Sequence, residues 1–257
     1  MTSKLRLLAA AAAVVLLAFS SAQPSRAQSV PPAQRAEIEK IIKNYLIANP
    51  EVLQEAFTEL QKRQTLAEAE KHKTAVKSNA QALFSSSRQV VLGNSQGDVT
   101  MVEFFDYNCG YCKRALSDML ELLKSDTKLR VVLKEFPVLG EASMEAARVA
   151  VAVRMQDKTG KKYLDFHQKL FSQRGQIGRA QALAAAKEAG LDMSRLEKDM
   201  TSDEIKSTLE ESYKLADALG MSGTPSYVIG SDVLVGAVGL EALKEKINTT
   251  RCGKAIC

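Results

Sequence analysis

Cys109 and Cys112 stand three residues apart in the run Asn108-Cys109-Gly110-Tyr111-Cys112. Two thiols at that spacing can close a disulfide across one helical turn, or supply half of a structural zinc site. Val99 to Phe105, just upstream, is rich in β-branched and aromatic residues and predicts a buried strand, while Cys112, Leu116, Met119, Leu120 and Leu123 recur downstream at helical spacing. Strand, tight turn and helix follow from that pattern. Asn108 suits the N-cap, which puts Cys109 in the first turn, where unpaired backbone N–H groups and the positive dipole end favour an anion. Cys109 is therefore expected as a nucleophilic thiolate with a lowered pKa. Cys112, at the head of the apolar stripe, is expected as the shielded thiol that resolves the mixed disulfide.

The strand that presents the thiols carries an acid. Glu103 shares the odd-numbered face with Met101 and Phe105, so a strand covered on both sides buries its carboxylate six residues before Cys109. A buried acid of raised pKa could exchange protons with Cys112 during resolution, whereas a one-sided strand would leave it solvated. Leu129 to Phe136 is the next strand, ended by Pro137, and a right-handed crossover makes a parallel βαβ unit with the first. Lys134 within it reads as a surface lysine. From Ala142 to Gly220 the pattern is helical, broken at Gly160, Gly175, Gly178 and Gly190. His167 falls there as an ordinary helical histidine. Ser226 to Ile229 and Val233 to Val235 form a hairpin around Gly230-Ser231-Asp232, and Leu240 to Ile247 closes the fold with a helix.

The ends of the chain bear on its compartment. Lys4 and Arg6 precede an apolar run from Leu7 to Phe19, followed by small residues, the pattern of a secretory signal peptide over residues 1–27, with cleavage after Ala22 or, preferred, Ala27. An uncleaved anchor is the alternative. The rest of the chain should be soluble and periplasmic, because no later run approaches a membrane span. At 46% hydrophobic and 25% charged the chain is globular, and losing Lys4, Arg6 and Arg26 takes its net charge from +5 to +2, too little to argue for nucleic acid. Four cysteines are too few for a disulfide scaffold. Export, and the placement between strand and helix, disfavour zinc at Cys109 and Cys112; no metal or cofactor is expected. Cys252 and Cys257 read as a structural disulfide tying the C-terminal tail, residues 251–257, with a second redox pair as the alternative.

Ile38, Ile41, Ile42, Tyr45 and Leu46 mark an amphipathic helix, and Val52, Leu53, Ala56, Phe57 and Leu60 a second one after Asn49-Pro50. The sequence then turns polar from Gln61 to about Ala80, which reads as a solvated helical spacer over residues 65–88 with a flexible linker at Ser85-Ser86-Ser87. The apolar pair, residues 28–64, needs a partner. Folding back on the catalytic domain is one solution; self-association is preferred, because the spacer separates the pair from the only other core.

Phe104-Phe105 before Cys109-Gly110-Tyr111-Cys112, with Gly223-Thr224-Pro225 more than a hundred residues later, resembles the DsbA-like branch of the thioredoxin superfamily. The resemblance covers residues 89–250 and implies an α/β thioredoxin fold with a helical insertion at 142–220, preceded here by the N-terminal helical extension. It implies a cis Thr224–Pro225 bond lying against the CxxC pair and pairing with substrate, and it strengthens the functional reading of Glu103. Residues 31–64 resemble the N-terminal region of ScsC-like and Com1-like members, which implies a homo-oligomerisation segment, a trimer among the states implied. The function implied is an exported thiol-disulfide oxidoreductase acting on unfolded or misoxidised secreted proteins. Gly110-Tyr111 departs from the Pro-His of the oxidases and matches the pair found in isomerases, so isomerase or reductase is preferred. A membrane-bound thiol reductant would keep it reduced; an oxidase would need a membrane oxidant. The alternative is an oligomeric holdase, or a copper-binding protein, without thiol exchange.

Overall fold

The computed structural model describes residues 31–257; the expected signal peptide and its cleavage positions lie outside them. The chain divides after Lys62 into two units. The first contains α1 (Pro32–Ala48) and the opening turns of α2 (Glu51–Ser78). Proline is tolerated at the start of α1 because the first helical N–H has no intrahelical partner. Asn49 stops the helix, its backbone and side-chain N–H groups both donating to the Tyr45 carbonyl. Ile41, Ile42, Tyr45, Phe57 and Leu60 stay exposed on these helices.

The second unit is built on a five-stranded sheet in the order β1-β3-β2-β4-β5, from β1 (Val90–Gly93), β2 (Val99–Phe105), β3 (Leu129–Glu135), β4 (Ser226–Ile229) and β5 (Asp232–Val235). β2 and β3 are parallel, with Val99 opposite Leu129 and Phe105 opposite Glu135, and the remaining pairings are antiparallel. The crossover between them is α4 (Gly110–Ser125), which begins at the end of β2. Five helices lie between β3 and β4: α5 (Glu141–Gln156), α6 (Lys161–Ser172), α7 (Arg179–Glu188), α8 (Met193–Asp199) and α9 (Asp203–Ala218). α5 is central, with Ala146, Ala147 and Val149 to Val153 all buried. α6 starts at Gly160, whose φ of +76° suits glycine and whose place a Cβ would contest with the Val91 carbonyl 2.6 Å away. α10 (Leu240–Cys252) closes the chain, and a disulfide joins Cys252 to Cys257.

Both faces of β2 are covered, and this decides the chemistry of its side chains. Met101 and Phe105 belong to one core with Met119 and Leu122 of α4, Leu243 and Ile247 of α10 and the insertion helices. Val102 and Phe104 belong to a second core with Val76 of α2, Leu83 of α3 (Ala80–Phe84), and Leu215 and Leu219. The stretch expected as a solvated spacer thus supplies part of a core. α2 runs on to Ser78, and Leu83 is fully buried, a side chain whose burial contributes about 1.5–3 kcal/mol. Where a flexible linker was expected, the Ser86 hydroxyl accepts from the Arg88 N–H and the Ser87 carbonyl accepts from Arg154. Lys134 is a correction of the same origin. It lies opposite Phe104 on the second face and is 1% exposed. Its ammonium donates to the Ala82 carbonyl at 2.7 Å and to Glu211 at 2.9 Å. Burial lowers its pKa against the pull of Glu211.

Candidate active site

The chain leaves β2 through Asp106, whose carboxylate accepts from the backbone N–H of Asn108, Val138 and Leu139 at 2.8, 2.8 and 2.9 Å. One buried acid thereby fastens the turn before the cysteines to the loop after β3. Cys109, not Asn108, is the N-cap of α4: its φ of −81° and ψ of 113° are extended, and its sulfur accepts from the Cys112 N–H at 3.3 Å. The expectation of an Asn108 cap was one residue early. Sulfur can fill the acceptor position that Asn, Asp or Ser usually takes, and the Asn108 side chain is engaged with the insertion instead.

The two thiols are electrostatically opposite. A hydrogen bond from the Cys112 side chain, joined by the Thr224 side chain and the backbone N–H groups of Cys112 and Tyr111 and opposed by burial, brings the Cys109 thiol down to about 5. At neutral pH it is a thiolate. Burial, and the hydrogen bond given to Cys109, push the Cys112 thiol far above its ordinary value. Cys112 is 1% exposed, while Tyr111 beside it is 60% exposed and lies under the Arg114 guanidinium, 4.4 Å from the ring centroid. The Thr224–Pro225 peptide is cis, and the Thr224 carbonyl oxygen lies 3.2 Å from the Cys109 sulfur.

Glu103 is 4% exposed and sits in the ladder between Leu133 and Tyr227. Burial first, then the negative charges of Asp118 and Cys109, raise its carboxyl to about 8. The second cysteine pair is elsewhere. Arg251, beside Cys252, binds Asp98 at the start of β2 with contacts of 2.8–3.0 Å, and seven residues of strand separate that end from the cysteines beyond Phe105. At about 3.3 Å per residue this puts the pairs roughly 20 Å apart, too far for direct exchange in this conformation.

Sequence reasoning missed a buried polar chain beneath the site. Tyr163 donates to Glu135, its hydroxyl lies 3.4 Å from that of Tyr107, and the Tyr107 hydroxyl lies 3.0 Å from His167 Nδ1. Burial lowers His167 to about 3, so its ring is neutral at pH 7, and raises Glu135 well above its ordinary value. The adjacent charges of Lys134-Glu135, directly after the apolar Val131 to Leu133, were the available signal. The assembled groups can perform one chemistry well: an ionised sulfur attacks a disulfide, and a protonated sulfur held behind it takes the new bond over.

The family model for the DSBA-like thioredoxin domain matches residues 100–248, and that for the copper resistance protein ScsC N-terminal domain matches residues 34–66. A thioredoxin-like oxidoreductase from Silicibacter pomeroyi is 40% identical, with a TM-score of 0.64, over 67% of this chain and 98% of that one. Proteus mirabilis ScsC, in a transitional conformation, is 28% identical, with a TM-score of 0.63, over 88% of this chain and 98% of that one. Disulfide bond formation protein D of Bacillus subtilis is 26% identical over 182 residues, 65% of this chain and 78% of that protein. Similarity extends to larger proteins. The Na(+)/H(+) antiporter NhaA 1 of Salinispora arenicola is 27% identical over 166 residues, and the chain spans 25% of its length.

Proposed function

The chain belongs to the DSBA-like thioredoxin domain family, and on that premise we propose that it is an exported thiol-disulfide oxidoreductase acting on protein substrates, as an isomerase or reductase before an oxidase. The observation that carries the reading is the Cys109 sulfur capping α4, accepting from the Cys112 N–H at 3.3 Å, with Cys112 buried one turn behind it and the Thr224 carbonyl 3.2 Å away.

Cys109 attacks one sulfur of a substrate disulfide. A new bond joins Cys109 to that sulfur, and the other substrate sulfur leaves as a thiolate. In isomerisation that thiolate, or another from the same client, attacks elsewhere until Cys109 is expelled unchanged, with no net transfer of electrons. In reduction Cys112 gives up its proton and attacks Cys109. The substrate then leaves with two thiols, and the two electrons it has gained come from the Cys109–Cys112 pair, now a disulfide. Glu103 is the acceptor for the Cys112 proton. While Cys109 is anionic its charge adds to burial and to Asp118 in keeping Glu103 protonated; forming the mixed disulfide removes that one contribution and lowers the Glu103 pKa, which favours transfer of the Cys112 proton to it. Thr224 and Pro225 border the attacking sulfur and would pair with the substrate strand. The reduced pair would be regenerated by a membrane-bound thiol donor.

Gly110-Tyr111 between the cysteines favours reshuffling over oxidation. So does the N-terminal unit: exposed Ile41, Ile42, Tyr45 and Phe57, in the region matching the ScsC N-terminal domain, suit self-association that gathers several sites around one client. The N-terminal basic and apolar pattern supports export to the periplasm, and no described helix is long and apolar enough to cross a membrane. The reading is tested by trapping. Cys112→Ala, which cannot resolve, should accumulate a mixed disulfide with a reducible protein client, and Cys109→Ser should accumulate none; equal trapping by both variants would refute the assignment.

A further inference from the structure

Asn108 precedes the attacking thiol, yet its side chain makes no bond to α4. Its amide oxygen accepts from the Ile177 N–H at 2.8 Å, and its amide nitrogen donates to the Ile177 carbonyl at 2.8 Å and to the Ser143 hydroxyl at 3.0 Å. Ile177 is 4% exposed in the loop between α6 and α7, and Ser143 is 1% exposed in the first turn of α5. The Asn108 N–H is held as well, donating to Asp106 at 2.8 Å. Gripping both the N–H and the C=O of one residue uses the two ends of a single planar amide, so turning that amide breaks both bonds together.

We propose that Asn108 is a positioning residue: by clamping Ile177 and Ser143 it fixes the backbone that aims the Cys109 sulfur at the first turn of α4. The proposal rests on the reading of Cys109 as the attacking group. The physical link is short. The Asn108 peptide leads into the extended φ and ψ of Cys109, and the sulfur's bond to the Cys112 N–H exists only while those angles hold. Hydrogen bonds weaken steeply with misalignment, and such bonds are what favour the thiolate. The titratable groups facing Cys109 are Cys112 from α4, Glu103 from β2 and Tyr227 from β4. Asn108 carries no charge, so removing it changes geometry without adding a field.

The test is the pH–rate profile of the reduced full chain with hydroxyethyl disulfide, with the rate of the Cys109→Ser protein subtracted. Wild type should show a midpoint near 5. Asn108→Ala should move it up by about one unit. A less acidic thiolate is also a better nucleophile, with β of about 0.4–0.5, so the two profiles cross: the variant is about twofold slower at pH 5 and roughly two- to threefold faster at pH 7. General loosening of the fold would slow the reaction at every pH and produce no crossing. Should Asn108→Ala fail to fold, Ser143→Ala, which deletes one of the three bonds, should shift the midpoint the same way by about a third as much. A wild-type midpoint near 5 with no shift in the folded variant overturns the role of Asn108 alone. A wild-type midpoint at the ordinary thiol value overturns the premise and the proposal together.

Discussion

A thiolate, a buried thiol and a buried carboxylic acid share one region of this core, and each is held in the protonation state its neighbours impose. The Cys109 thiol is depressed to about 5 in the folded chain, against about 8.5 when unfolded. The reduced protein therefore gains stability as pH rises from about 5 to about 8.5, and loses it as pH falls through 5. The oxidised protein has no such thiol. The difference in urea midpoint between reduced and oxidised forms should thus move toward the reduced form over that window, and a flat difference would deny the thiolate. Glu103 has the opposite sign: raised to about 8 by burial, it costs stability as pH climbs from about 4.3, its unfolded value. Glu103→Gln should be more stable than wild type at pH 8, and should resolve mixed disulfides on the order of 100-fold more slowly in quenched-flow trapping. The spacing of Cys109 and Cys112 and the parity of Glu103 were legible because they are local. The partner of Asn108 was not, because Ile177 lies 69 residues away.

Elements explain where the reading of the chain was blind. β2 has the limits expected of it, Val99–Phe105, because acids at Asp98 and Asp106 bracket a run rich in β-branched and aromatic residues. Whether that run was covered on one face or two depended on α3, only five residues long, on the last turn of α2 in a polar stretch, and on Leu215 and Leu219 far along the chain. A long polar helix buries a single residue that no periodicity reveals, here Val76, and a five-residue helix, here carrying Leu83, is too short to show a period. Lys134 looked like a surface lysine for the same reason. Leu83→Ala should cost about 2–5 kcal/mol in denaturant unfolding. Lys134→Ala leaves Glu211 partly buried without its nearest cation and should cost about 3–5 kcal/mol, whereas Lys134→Met with Glu211→Met should fall close to wild type. A double variant as unstable as the single one would contradict this account of the pair.

For the whole molecule, the proposal gives the N-terminal unit and the thioredoxin unit separate tasks. The N-terminal unit's apolar side chains, Ile41, Ile42, Tyr45 and Phe57 among them, are exposed in the described chain, and a second copy is the occupant the proposal assigns. Deleting residues 28–64 should lower the mass measured by light scattering to that of one chain; an unchanged mass would refute the assignment. The central claim is that this protein exchanges disulfides through Cys109, and the most direct measurement is the recovery of activity from a scrambled disulfide protein. Wild type should restore it in a redox buffer at least tenfold faster than buffer alone, and Cys109→Ser should do no better than buffer. Equal yields from wild type and Cys109→Ser would contradict the claim and point to a protein that holds clients without exchanging their bonds.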